Sequence, residues 1–340
     1  ADQEASAKIT VRHLLNQNSG ISQKDGNRFW TSQQGLEEYV RELDAIQPSQ
    51  PVGSTYQYSN VNYIIAGLIV EKVSGQSFSD YVAQHIFEPL DMHHSYTAHA
   101  AAVADGLADG HNYVAGYVFR DERAMPPASL PSGGLITSAE DMTHFALAQM
   151  NDGRYGDTPI LSEQGIAEMH APAVSKGGDS FFAIGWDVGT WEGIPVVSRV
   201  GDTGHFHADM FLMPDRGSGI VLLANASGFE QQTQVDQIAV GVLSLLNGEA
   251  PAPISVPFSY RLLYWSFLLV PLLQVLGIVF VCRNRERITG WAPILIVILN
   301  LAVVFLMAAL SQLIPFPLTS MLVFFPEIGY ALLTIALLGI

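Results

Sequence analysis

Apolar positions in the first 247 residues alternate between helical spacing and short continuous runs. From residue 262 onward, polar positions become rare. The stretch TVRHLLNQNSG reads as a short helix with Thr10 as N-cap and Gly20 just past its end. SQQGLEEYVRELDAI predicts an amphipathic helix starting near Ser32. SNVNYIIAGLIVEKVSG predicts a helix capped near Ser59 or Asn60 and stopped by Gly75. Its apolar positions (Ile64, Ile65, Leu68, Ile69) lie on most sides, so it is expected to be central. SAEDMTHFALAQM opens with Ser138, followed three residues later by Asp141, close to a capping box. Strand-like runs follow: FFAIGWDVGTW, IPVVSRVG, FHADMFLMP and GIVLLAN. Turns at Gly193, at Asp202–Gly204 and at PDRGSG separate them. EQQTQVDQIAVGVLSLLNG predicts a closing helix. Consecutive strands joined by short turns make an antiparallel sheet, and helices on either side make the class α+β.

The remainder reads as membrane. Residues 262–282 carry no charge and are long enough to cross the hydrocarbon layer. Residues 291–313 and 318–340 predict two further spans, the last containing Pro326-Glu327. Residues 248–257, GEAPAPISVP, form a Pro-rich linker. RNRER, between the first two spans, holds three of the tail's four arginines, whereas the loop around Pro315-Phe316-Pro317 has none. The positive-inside rule then puts RNRER in the cytoplasm and residues 1–257 on the extracytoplasmic side. The expectation is a multi-pass protein of the cell membrane with the lipid bilayer as a partner.

Composition sharpens this division. The chain has a net charge of −16, yet residues 258–340 hold only four arginines and two glutamates. The acidity therefore belongs to the globular part, which argues against nucleic-acid binding. Cys282 is the single cysteine, so no intrachain disulfide can form. The first methionine is Met92 and the chain ends inside an apolar run, which suggests a fragment.

Two chemistries compete in RVGDTGHFHAD. On a strand, His205, His207 and Asp209 could converge on one face as metal ligands. No histidine follows His207 and no H-E-x-x-H pair exists, so these three would have to serve unaided. For nucleophilic catalysis there is no G-x-S-x-G elbow. Tyr58-Ser59-Asn60 stands at the start of the central helix. A tyrosine there sits in the positive potential of the helix N-terminus and, with a cation nearby, can act as a general base.

The segments ITVRHLLNQNSGI, PVGSTYQYSNVNYIIAGLIVEKVSGQSFSDYVAQHIFEPLDM, PSGGLITSAEDMTHFA, FAIGW and RVGDTGHFHADMFLMPDRGSGIVLLAN occur in that order. Together, over residues 9–247, they resemble the serine β-lactamase-related family: class C β-lactamases, related esterases, D-amino-acid peptidases and penicillin-binding-protein-like hydrolases. The resemblance implies a β-lactamase/transpeptidase-like antiparallel sheet flanked by helices over residues 1–247. The linker and an all-α membrane segment of three helices (258–340) follow it. Tyr58 would be the base or proton relay and Asn60 the substrate-binding amide. RVGDTGHF matches the family's Lys-Thr-Gly or His-x-Gly strand, with Arg199 as the cation and Gly201 as the glycine. Asp202 would supply an oxyanion N–H, with Thr203 also on the substrate side. Such a donor is worth about 3–4 kcal/mol in the transition state. No cofactor and no metal are implied.

Two departures stand out. Arg199 replaces lysine or histidine; it keeps the charge but cannot shuttle a proton. The family's nucleophile lies in Ser-x-x-Lys, upstream of ITVRHLL, and no serine in this chain is followed three residues later by lysine. The domain is thus expected to lack its N-terminal part and to be inactive alone. The full protein is expected to be an extracytoplasmic serine hydrolase cleaving amide or ester bonds in a small-molecule or peptide substrate, cell-wall related among the choices. A non-catalytic binding or sensing module on the membrane is the alternative. A zinc hydrolase using His205, His207 and Asp209 is the third reading.

Overall fold

The structure, a computed structural model, describes residues 3–26, 33–43, 46–114, 117–284, 298, 300–302, 305, 321–322 and 326–339. Helices α1 (Gln3–Lys8), α2 (Val11–Leu15), α3 (Gln23–Gly26), α4 (Leu36–Glu42), α5 (Asn60–Ser74), α6 (Phe78–Val82) and α7 (His99–Ala104) come first. A hairpin of β1 (Gly110–Val114) and β2 (Tyr117–Asp121) leads to α8 (Ala139–Met150), the short β3 (Arg154–Tyr155) and β4 (Thr158–Pro159), and α9 (Glu163–His170). The main sheet is a meander of β5 (Val174–Gly177), β6 (Ser180–Phe182), β7 (Asp187–Trp191), β8 (Ile194–Asp202), β9 (His207–Met213) and β10 (Ser218–Ala224). All its pairings are antiparallel, in the order β10-β9-β8-β7-β6-β5. The chain closes with β11 (Ala226–Ser227), α10 (Phe229–Leu246), α11 (Phe258–Arg283) and α12 (Pro326–Gly339).

The α+β class agrees with the sequence pattern, and so do several boundaries. Thr10 caps α2 by accepting from the His13 N–H. Ser138 caps α8 by accepting from the Asp141 N–H. Gly75 ends α5 in the left-handed region at φ 72°. The β7–β8 hairpin turns on Glu192-Gly193, both at positive φ, as a two-residue hairpin loop favours.

Four expectations need correction. α2 stops at Leu15 with Asn16 as its C-cap, so Gly20 does not mark its end. The helix expected near Ser32 begins at Leu36, with Gly35 at its N-cap; Ser32 itself lies outside the described residues. FFAIGWDVGTW is two strands rather than one, because the Ala183 N–H bonds back to the Trp186 carbonyl at 2.8 Å and closes a turn. β1 and β2 appeared in no periodicity, since β1 is completed by parallel pairing with β11, which is remote in sequence.

Strand alternation decides what each side of the sheet sees. One face of β8 and β9 presents Val197, Arg199 and Gly201 beside Leu212, Met210 and Ala208. Val197, Met210 and Leu212 pack with Trp186 and with Ala146 of α8. The other face presents Val196, Val200 and Asp202 beside Met213, Asp209 and His207. Ile194, Val196 and Met213 pack there against Leu243 of α10. Each fully buried side chain of this size contributes about 1.5–3 kcal/mol. On the helical side, α5 is central: Val61 and Ile64 pack with Ile21, Tyr39 and Ile46.

Of the expected spans, residues 262–282 lie within α11, a continuous helix. Several side chains of α11 lie outside the described residues. Among the described residues, no helix is long and apolar enough to cross a membrane. The 291–313 expectation falls largely outside the described residues, as does RNRER beyond Asn284, and the third span is represented mainly by α12.

Candidate active site

Tyr58 stands just ahead of Ser59, the N-cap of α5, and its backbone is fixed on both sides by Gln17. The Gln17 carbonyl accepts from the Gln57 N–H at 2.7 Å, and its side-chain Oε1 accepts from the Ser59 N–H at 2.9 Å. Gln17 Oε1 also accepts from Asn62 Nδ2 at 2.6 Å, and the Ser19 hydroxyl donates to Asn62 Oδ1 at 2.6 Å. Gln17, Ser19 and Asn62 are fully buried, and Gln17 holds a positive φ of 55°. Each of these bonds, being buried, would cost about 1–3 kcal/mol if one partner were left unsatisfied. The only hint of this network in the sequence is the polar run NQNS directly after an apolar helix.

The network aims the Tyr58 hydroxyl at Asn60, where it donates to Oδ1 at 2.8 Å. Across the site, Arg199 on β8 puts its Cζ 5.5 Å from the Tyr58 ring centroid and 5.4 Å from that of Phe182. The planar guanidinium is thus held by two aromatic rings. Its Nη1 lies 3.6 Å from Asp187 Oδ2. Asp187 also pairs with Lys176 of β5, whose ammonium stands 5.2 Å from the Tyr56 ring centroid. Burial, and then the nearby Asp187, push the Tyr56 hydroxyl up to about 12. Burial likewise raises Tyr63, which donates to the Leu15 carbonyl at 2.8 Å. Sequence reasoning missed Lys176, Asp187 and Phe182. They sit on β5, β7 and β6, and only the folded sheet brings them to Arg199.

β7 pairs with β8 only as far as Asp187↔Ser198, whereas β9 continues pairing to Asp202. One edge of residues 199–202 is therefore unpaired among the described strands. A Cβ built on Gly201 would meet no atom within 4 Å, so the space over that residue is open. Tyr58, hydrogen-bonded to Asn60, lies against Arg199 of this edge, and Gly201 is two residues further along it. Thr203 does not project into it: its hydroxyl accepts from the Phe206 N–H at 3.2 Å and holds the β8–β9 turn.

The Asp202 side chain turns to the opposite face. Its Oδ1 accepts from the Gly204 N–H at 2.7 Å, and its Oδ2 accepts from Ser227 Oγ and lies 3.2 Å from His207 Nδ1. The grouping of His205, His207 and Asp209 is corrected here. Strand alternation starts at His207, so His205 belongs to the turn. It bonds the Thr203 carbonyl at 3.1 Å, packs against Phe206 and has its pKa lowered by burial. His207 and Asp209 share the face under α10, where Asp236 joins them. His207 Nε2 is 3.2 Å from Asp209 Oδ1 and 3.2 Å from Asp236 Oδ1. Burial lowers the His207 pKa, but Asp202, Asp209 and Asp236 outweigh it and push it up to about 11.

Comparison with known proteins bears on the family and the fold. The beta-lactamase family model matches residues 1–243. Penicillin-binding protein 4 of Amycolatopsis lactamdurans is 28% identical over 240 residues, covering 66% of this chain and 61% of that protein. An unguisins hydrolase of Aspergillus campestris is 26% identical over 235 residues, covering 64% of this chain and 43% of that protein. The chain thus spans about half the length of the curated relatives it matches. Among solved structures, the octameric penicillin-binding protein homologue from Pyrococcus abyssi superposes with a TM-score of 0.63 at 25% identity, over 76% of this chain and 60% of that one. A class C beta-lactamase shares the fold with a TM-score of 0.59 at 20% identity, over 71% of this chain and 70% of that one. The motif order, the fold and the matched residues lead to one assignment: this chain belongs to the beta-lactamase family.

Proposed function

We propose that these residues form the substrate-facing wall of a serine hydrolase that cleaves amide or ester bonds through an acyl-serine intermediate. The observation that carries this reading is the meeting of Tyr58, Asn60 and Arg199 at the unpaired edge of β8. In this reading the Ser-x-x-Lys pair belongs to the longer protein. Its serine oxygen attacks the carbonyl carbon while its proton passes to the Lys and Tyr58 pair. The Asp202 N–H stabilises the resulting oxyanion. Collapse expels the amine or alcohol, which takes the proton, and water then hydrolyses the acyl ester. Arg199 neutralises a carboxylate on the substrate, and the open strand edge suits an extended peptide-like backbone. The name penicillin-binding protein, carried by two of these relatives, favours β-lactams over simple esters.

Membrane attachment completes the proposal: a multi-pass protein with residues 1–257 on the extracytoplasmic side. Its support is the uncharged stretch 262–282 within α11, together with the outward exposure there of Leu269, Leu272, Leu273, Leu276 and Val279.

Labelling with a fluorescent penicillin and a fluorophosphonate tests the chemistry. Residues 1–340 alone should stay unlabelled, and a longer protein carrying Ser-x-x-Lys upstream should label at that serine. Covalent label on any serine within 1–340 would refute the assignment of the nucleophile. A longer protein that binds penicillin reversibly without acylation would favour the non-catalytic module, a reading to which the neutralising Arg199–Asp187 pair lends support.

A further inference from the structure

His207, Asp209 and Asp236 lie on the side of the sheet away from Tyr58, between β9 and α10. Their ligand atoms all fall within 4.8 Å of one another. Three carboxylates, counting Asp202, face one imidazole, and among the described residues none of the three pairs with a lysine or arginine. Asp209 is fully buried, its side chain 0% exposed, and its Oδ2 has no hydrogen-bond partner. Asp236 Oδ1 likewise has none, although it lies 3.2 Å from His207 Nε2. One ring nitrogen carries one proton or one lone pair, so Nε2 cannot serve both carboxylates by hydrogen bonding. A buried carboxylate oxygen without a partner is costly, and a dication in place of the Nε2 proton would meet Asp209 and Asp236 at once.

The spacing fits such a cation. Nitrogen and oxygen ligands about 2.0–2.2 Å from a tetrahedral zinc ion stand about 3.4 Å apart. Both Nε2–Oδ1 separations are 3.2 Å. The outer shell fits as well. Asp202 Oδ2, 3.2 Å from His207 Nδ1, can accept its proton and leave Nε2 as the ligating lone pair. Imidazole in the set selects a transition-type dication over calcium or magnesium. The Asp236 side chain is 49% exposed although its Oδ1 is buried, so the site lies one side chain below the surface.

We propose that His207 Nε2, Asp209 and Asp236 form a zinc-class divalent cation site that clamps α10 to β9 behind the candidate active-site strand. The site is separate from the acyl-transfer chemistry and stands whether or not that reading holds. It differs from the sequence-based triplet in one ligand: Asp236 takes the place of His205.

The test is a chelator-competition titration of the purified full chain with Zn²⁺, with metal content measured after dialysis. The expected result is about one Zn²⁺ per chain, with Tm rising as zinc is added. Asp236→Asn, at a half-exposed helix position, should fold normally by circular dichroism and bind at least ~10-fold more weakly. Asp202→Asn, which loosens only the outer shell, should weaken binding ~10–100-fold. Co²⁺ in place of zinc should give a nitrogen and oxygen ligand spectrum. Absence of stoichiometric zinc on the folded chain, unchanged binding by Asp236→Asn, preference for Ca²⁺, or a thiolate band from Cys282 would each overturn the site.

Discussion

The Arg199 guanidinium lies over the ring of Tyr58, 5.5 Å from its centroid, and 3.6 Å from Asp187 Oδ2. A family that uses lysine or histidine at this strand position thus has a planar cation here, and Phe182 supplies its second aromatic wall. Lysine would keep the charge but not the stacking. Arg199→Ala should cost about 0.5–1 kcal/mol in urea denaturation, the worth of a cation–π contact near the surface. In the full protein it should raise KM for carboxylate-bearing substrates with little change for neutral esters. Arg199→Lys should restore most of the KM and little of the stability. Equal losses on charged and neutral substrates would remove the anion-binding role.

Tyr58 donates to Asn60 Oδ1, and Gln17 holds the backbone on either side of it. Tyr58→Phe removes only the hydroxyl, so the fold should survive. Turnover by the full protein should fall about 10²–10⁴-fold if Tyr58 relays the serine proton. Gln17→Ala should lower activity and stability together, because it frees the loop rather than the chemistry. Near-normal turnover by Tyr58→Phe would move the base elsewhere.

These two sites differ in how visible they were in the sequence. Tyr58, Asn60 and Gly75 announce themselves locally, because a helix start and stop are written in adjacent residues. Gly193 does the same for a two-residue hairpin. Asp236 could not be read beside His207, because α10 and β9 are remote in sequence and meet only in the folded domain. The same holds for Lys176 and Asp187 around Arg199, and for β1, which pairs with β11. His205 was misplaced by one structural fact: β9 begins at His207, so alternation does not reach back to it. Periodicity reports neighbours along the chain, and sites assembled across a sheet fall outside it.

Asp121 gives the clearest pH signature. Burial pushes its carboxyl up, but hydrogen bonds from Arg123 and from Asn112 outweigh this and hold it at about 2 against an ordinary 3.8. A depressed folded-state pKa stabilises the native state above the unfolded value, and that stability is lost as pH falls through the folded one. The gap in urea midpoint between the natural chain and Asp121→Asn should therefore be constant above about pH 4.5 and shrink toward pH 2. A gap independent of pH over that range would show that Asp121 is not ionised in its Arg123 pair.

Gly110 tests how tightly the small sheet grips the β8–β9 turn. A Cβ there would meet His205 Cδ2 at 2.6 Å, Phe206 Cε2 at 2.8 Å and the Asp121 carbonyl at 2.9 Å. One of the three is backbone and cannot rotate away. Gly110→Ala should destabilise the domain by about 1–3 kcal/mol, the usual range for overpacking. The loss should appear as a lower Tm with unchanged secondary structure. An unchanged Tm would mean that β1 can shift away from the turn.

Cys282 stands near the C-terminal end of α11, one residue before Arg283, and is exposed. As the single cysteine of the chain, it reports topology without background from other thiols. If residues 262–282 cross the bilayer with residues 1–257 outside, this thiol lies at the cytoplasmic interface. A membrane-impermeant maleimide should then fail to label intact cells and label after permeabilisation, while protease added outside removes the globular domain. A thiolate is needed for the reaction, so labelling should be compared at pH 7 and pH 8.5 to separate access from ionisation. Equal labelling before and after permeabilisation at both pH values would place Cys282 outside and reverse the orientation drawn from the RNRER charges.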